Sequence, residues 1–207
     1  MEEFGKALVK RLKDLETQRD YWNTHYQELA DYMLPRKSDI VRKRSRGEKR
    51  TENIFDGTAL QAVDLLSASL HGMLTSGATP WFHLDMKDEE LGRDDDVREW
   101  LQSSSTSMMK AFNQSNFETE VHEMYVDLVV FGTGCMFVEM DKGTLRFSTR
   151  HISEFYIQEN QYGLVDTVFR KYKSPVRQVI QRFGIDNVSD YLRKTFDKKP
   201  CCFAKNR

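Results

Sequence analysis

Residues 53–84 read NIFDGTALQAVDLLSASLHGMLTSGATPWFHL, and the architecture turns on how this stretch is taken. Between Asp56 and Thr75 it has the composition of a helix, with Asp56 or Thr58 placed to satisfy an orphan N–H at its start. Ala59, Ala62, Ser67, Ala68, Ser69 and Gly72 keep part of its surface thin, while Leu60, Val63, Leu65, Leu66, Leu70, Met73 and Leu74 cover most of the rest. A helix apolar around most of its girth is expected to be enclosed by other elements. On that reading Leu66 and Leu70 are core positions, and Asp at either would prevent soluble folding. TSGATP (75–80) then supplies turn chemistry. WFHLDM (81–86) alternates like a short strand, with Trp81, His83 and Asp85 on one side and Phe82, Leu84 and Met86 on the other.

Upstream, residues 2–33 carry one long helix. Leu8, Leu12, Leu15, Arg19, Trp22, Tyr26, Leu29 and Met33 recur at alternating steps of four and three, a heptad-like stripe broken only by Arg19. Pro35 ends it. The stripe reads first as a face docked on its own domain, with an intersubunit coiled coil as the alternative. Residues 36–52 are polar and contain Gly47, the composition of a mobile loop. Arg36, Lys37, Arg42, Lys43, Arg44, Arg46, Lys49 and Arg50 stand against Asp39 and Glu48 between positions 36 and 50, a local charge of 8 − 2 = +6. Such a segment is either a solvated loop or a contact for phosphate backbone. No aromatic residue interleaves the charges, which argues against a stacking platform for single strands.

Downstream, residues 93–114 read as a helix whose first turn holds Asp94, Asp95 and Asp96, where negative charge meets the positive helix end. Ser115 and Glu118 have the spacing of a capping box for a further helix reaching Phe131. Gly132 and Gly134 break it. CMFVEM (135–140) and TLRFST (144–149) then form a strand pair across a turn at 141–143, and FYIQ (155–158) and LVDTVFRKY (164–172) a second. Ser174 as cap and Pro175 at the first position open a short helix, with Val176, Val179, Ile180 and Phe183 inward and Gly184 closing it. Residues 188–196 suit a further turn or two. The fold class is α+β: a long N-terminal helix and central helices packed with short antiparallel strand pairs.

At 207 residues, with 39% hydrophobic and 30% charged residues and a net charge of −1, the chain can bury a substantial core and has no global bias toward nucleic acid or membrane. No stretch approaches the roughly 18 apolar residues of a membrane span. Cys135, Cys201 and Cys202 make no disulfide framework, and Cys135 reads as a small buried thiol in a reducing compartment. No phosphate-cradling glycine loop, zinc-binding histidine pair or nucleophile elbow is present. His71 reads as a core histidine satisfied by a backbone carbonyl, and His122 as a helix-face partner of Glu118. The residues thus point to a scaffold or interaction protein, with no catalytic, cofactor-binding or metal-ligating positions. A free-standing nucleic-acid-binding module using residues 36–50 is the alternative.

Four segments in order carry a family resemblance: YMLPRKSDI (32–40), RGEKRTENIFDGTALQAVDLLSASLHGMLTSGATPWFHL (46–84), VVFGTGCMFVEMD (129–141) and STRHISEFYIQENQYGLVDTVFRKYKSP (148–175). Together they resemble the portal proteins, or head-to-tail connectors, of short-tailed tailed bacteriophages. The resemblance implies a dodecameric ring at one capsid vertex, a structural and not an enzymatic role, and contacts with capsid or scaffolding protein, tail adaptor, terminase motor and double-stranded DNA. It implies a place in the virion, and in the host bacterial cytoplasm during assembly. Family members are much longer. The expectation is therefore that residues 1–197 form the N-terminal, wing-like portion of such a protein, and that the off-pattern residues 198–207 mark a truncation.

Overall fold

The structure, a computed structural model, describes residues 2–45, 47–88, 90–141, 143–189 and 191–193. Helix α1 spans Glu2–Met33, α2 Thr58–Leu74, α3 Asp95–Gln114, α4 Phe117–Phe131 and α5 Val176–Phe183, with single 3₁₀ turns at Pro35–Lys37 and Leu91–Arg93. Strands β1 (Cys135–Asp141) and β2 (Thr144–Arg150) form one antiparallel pair, and β3 (Phe155–Glu159) and β4 (Val165–Arg170) another. The architecture is α+β. The chain divides into a first unit that runs to Arg170 and a second that begins at Lys171.

Helix α4 is the axis of the first unit. Phe117, Val121, Tyr125, Val126, Val130 and Phe131 are buried along it, and it contacts α1, α2, α3, β1 and β2. Two apolar clusters form on it. One joins Val126, Val130 and Phe131 to Ala30 and Leu34 at the end of α1, Val63 of α2, and Ile152 and Phe155. The other joins Phe117, Val121 and Tyr125 to Phe147 of β2. Gly132 closes α4 at φ 71°, a conformation a side chain would strain.

Helix α1 docks on its own unit, as its stripe suggests: Leu15, Ala30 and Leu34 are buried, and Tyr26, Leu29 and Met33 pack on the first cluster. Arg19, the break in the stripe, has a positive role. Its Nη1 donates to the carbonyls of Ile152 (2.7 Å) and Phe155 (2.6 Å), and its guanidinium lies 3.9 Å from the Tyr156 ring centroid. A planar cation reaches carbonyls that no leucine could satisfy.

Several local expectations are corrected. In α2 only Val63 and Ser67 are buried; Leu66 is 50% exposed and Met73 83%, while Leu70 is half-buried beside the second cluster. The helix lies on α4 and α1 by one face and is not enclosed. An apolar girth says what the helix could bury, not how much of it this chain covers. Residues 81–86 form no ladder. Trp81 instead stacks on Phe117 (centroids 5.7 Å apart), and the Leu84 N–H donates to Ser105 Oγ at 2.9 Å. The Ser115–Glu118 capping box is not made. Ser115 Oγ accepts from the Phe117 N–H at 3.1 Å, and Glu118 lies so close to Gly77 that a Cβ there would sit 1.8 Å from its Oε1. Asp94, read inside the first turn of α3, is instead its N-cap, accepting from the Asp96 N–H at 3.0 Å. Ser174 does not cap α5: Pro175 is the N-cap, and Ser174 Oγ bonds the Gln178 side chain. The turn expected over 188–196 falls partly, and the tail 198–207 wholly, outside the described residues.

Candidate nucleic-acid interface and exposed faces

The basic segment lies against helices α1 and α4, and five of its eight basic residues pair with carboxylates, three of them on those helices. Arg36 pairs with Glu123 at 2.7 Å. Lys37 Nζ lies 2.7 Å from Asp127 Oδ1 and 3.0 Å from Glu123 Oε2. Arg44, whose side chain is only 4% exposed, donates to Asp31 (3.0 Å) and to Ser38 Oγ (2.8 Å). Arg50 pairs with Asp39, and Arg42 lies 3.7 Å from Glu48. Lys43 and Lys49 are exposed, and Arg46 lies outside the described residues.

A polar clasp organises this segment, and its key residue is uncharged. Gln27 Oε1 accepts from three successive backbone N–H groups, those of Ile40 (3.2 Å), Val41 (2.9 Å) and Arg42 (3.1 Å). Its Nε2 donates to Asp31 Oδ1 (3.0 Å) and to the Ser38 carbonyl. Three convergent N–H groups form the concavity that backbone nests present to an anion; here a side-chain amide oxygen fills it. The mobile loop read from composition is thus pinned over residues 38–44. Gln27 and Asp31, like Glu123 and Asp127, are four apart on one helix face. That spacing is the signal in the sequence that could have found them.

Electrostatics follow the packing. The Arg44 pKa is raised, chiefly by its hydrogen bond to Asp31. Burial pushes the Asp127 carboxyl up, with Lys37 pulling the other way, and Asp127 Oδ2 is buried without a partner. Burial also lowers the His151 pKa, reinforced by the nearby charge of Lys37. Cys135 is half-buried, and burial raises its thiol. His71 sets its ring 5.8 Å from that of His122 and 6.2 Å from that of Tyr125, so a ring contact, and not a backbone carbonyl, is what the structure shows for it. Among the described residues no group of three or more His, Cys, Asp or Glu could hold a metal ion, and no helix is long and apolar enough to cross a membrane. The geometry is that of a surface for contacts: a clasped basic segment, an apolar helix face on α2, and two strand pairs outside a larger sheet.

Sequence comparison gives this surface a context. The pattern of the family described as bacteriophage head to tail connecting protein matches residues 5–206. The chain belongs to that family. It is 34% identical over 195 residues to a probable portal protein of Bordetella phage BPP-1, and 35% identical over 190 residues to the portal protein of Salmonella phage epsilon15. These alignments cover 93% and 91% of this chain but 35% and 34% of the relatives, so the chain spans about a third of their length.

Proposed function

We propose that this chain is the wing-like part of a phage portal, a structural element of the ring that joins head to tail. The family match over residues 5–206 carries the reading. The exposed apolar face of α2, with Leu65, Leu66 and Met73 uncovered in a single copy, supports it, because a ring leaves such faces to be covered by neighbours. In this reading the chain is not an enzyme. Its partners are further copies in a dodecameric ring, capsid or scaffolding protein, tail adaptor and terminase motor, and its place is the portal vertex of the virion after assembly in the host cytoplasm. Co-expression with the capsid and scaffolding proteins of its phage tests this. The chain should be recovered in purified heads, confined to one vertex by immunogold labelling; heads that form without it, or carry it all over, refute the reading.

Contact with double-stranded DNA in this proposal falls mainly to Lys43 and Lys49, since five of the other basic side chains are engaged with carboxylates of the chain itself. Lys43→Ala with Lys49→Ala should flatten the salt dependence of duplex binding by about two units of slope, one per phosphate contact. An unchanged slope removes these two residues from the interface.

A further inference from the structure

The basic segment has two moorings of different chemistry. Residues 38–44 are held on α1 by Gln27, an amide that accepts three backbone N–H groups, with Arg44 on Asp31 beside it. The 3₁₀ turn Pro35–Lys37 is held on α4 by ion pairs. Arg36 reaches Glu123 at 2.7 Å, and Lys37 Nζ lies 2.7 Å from Asp127 Oδ1 and 3.0 Å from Glu123 Oε2.

Asp127 makes the second mooring sensitive to protons. It is 1% exposed, and its Oδ2 is buried without a partner. Among the described residues Lys37 is its single ion-pair partner, and that partner comes from the turn, not from α4 itself. A buried carboxylate that loses its cation is strongly unfavourable and takes up a proton instead. Withdrawal of Lys37 is therefore coupled to proton uptake. Lys37 and Arg36 from the turn and Glu123 from α4 face Asp127; Lys37, Glu154 and Arg19 face His151, just past the end of β2. Burial pushes the Asp127 carboxyl up while Lys37 holds it down. Burial pushing Glu123 up is outweighed by Lys37 and Arg36, which hold its carboxyl below its ordinary value. Burial lowers the His151 imidazole, and the Lys37 charge lowers it further. With Lys37 withdrawn, all three groups bind a proton more readily, so the released turn carries more protons than the moored one. The hold is intact near neutral pH and weakens as pH falls from 6.5, the ordinary histidine value, toward 3.8, the ordinary aspartate value.

We propose that the turn Pro35–Lys37 is a proton-operated latch: acid releases Lys37 from Asp127 and frees the turn from α4, while residues 38–44 stay clasped on α1. The Asp127 carboxyl takes the proton, and the Lys37 ammonium, 21% exposed when moored, passes into solvent. There it joins the exposed Lys43 and Lys49 as uncompensated positive charge on the segment. Release stops at the clasp, because the Gln27 amide gains no proton over this window and continues to tie Ile40, Val41 and Arg42 to α1. The latch depends on no contact outside the chain.

Amide hydrogen exchange of the whole chain, followed by NMR on acidification from neutral pH and corrected for intrinsic rates, tests this. The Lys37 and Ser38 N–H groups close the turn on the Leu34 and Pro35 carbonyls at 2.9 and 3.3 Å and report the latch. Those of Ile40, Val41 and Arg42 report the clasp. Protection at Lys37 and Ser38 should fall by at least about tenfold while the clasp amides keep theirs. Asp127→Asn keeps the shape and removes the charge, so it should raise exchange at Lys37 and Ser38 already at neutral pH. Lys37→Met should raise the titration midpoint of the Asp127 carboxyl, read from its ¹³C shift, by about one pH unit or more. Protection at the turn that survives acid, loss at turn and clasp together, an Asp127→Asn variant that exchanges like the parent, or an Asp127 midpoint indifferent to Lys37→Met overturns the proposal.

Discussion

Residues 27–50 and residues 53–84 exchange the roles their compositions suggest. The first stretch is polar and basic, yet Ser38 and the side chain of Arg44 are buried in it and Gln27 gathers three backbone N–H groups. The second is rich in leucine and alanine, yet α2 leaves Leu65, Leu66, Met73 and Leu74 largely in solvent. The difference teaches that composition reports what a segment can satisfy, not where its partners are. Charges can be buried when carboxylates on a neighbouring helix meet them. An apolar face can stay exposed when the rest of the chain offers it no partner.

The contrast can be pressed hardest at Val63, the α2 side chain that does reach the core, 5% exposed and packed with Ala30, Val126 and Val130. Val63→Asp should cost several kcal/mol, a buried unpaired charge set against a total stability of about 5–15 kcal/mol, and should abolish soluble expression. Next comes the clasp. Arg44→Ala leaves the partly buried Asp31 carboxylate without its cation, with only the Gln27 amide as donor, and should cost about 3 kcal/mol in urea unfolding, whereas Arg42→Ala, on an exposed pair, should cost no more than about 0.5 kcal/mol. Equal effects would show that burial of Arg44 contributes nothing.

A third test uses pH. The His151 pKa lies below its ordinary 6.5, first because of burial and then because of the Lys37 charge. The folded state therefore binds this proton less readily than the unfolded state, and stability should be lost as pH falls from 6.5 toward the lower folded value. In thermal melts His151→Phe should remove that slope; a slope that survives assigns it to other groups. The smallest effect belongs to Leu66→Asp. At a half-exposed position it should change stability by only about 0.5–1 kcal/mol and leave the chain soluble, against the outcome anticipated from composition.

Much of the fold was legible. The helices begin and end within a few residues of their signals, and both strand pairs stand where the alternation and the glycine breaks put them. Asp95 and Asp96 stand in the first turn of α3 as read, while Asp94, read there too, is its N-cap. What failed shares a cause: the outcome depended on a long-range partner. WFHLDM alternates as a strand should, but Trp81 finds Phe117 and Leu84 finds Ser105, so the segment is held by side chains of helices. Glu118 has capping-box spacing, but Gly77 gives its carboxylate another place to lie. For the candidate interface, the eight basic residues were plain to see while their destinations were not, because Asp31, Glu123 and Asp127 sit on helices whose facing surfaces only the tertiary structure defines.

Gln27 has a consequence for the order of events in folding. The three N–H groups it gathers lie thirteen to fifteen residues along the chain, and their acceptor is in place only once that turn of α1 has formed. The loop is then a late event, shaped on a finished helix. Gln27→Ala should accordingly speed unfolding and leave the refolding rate almost untouched, the signature of contacts made after the transition state.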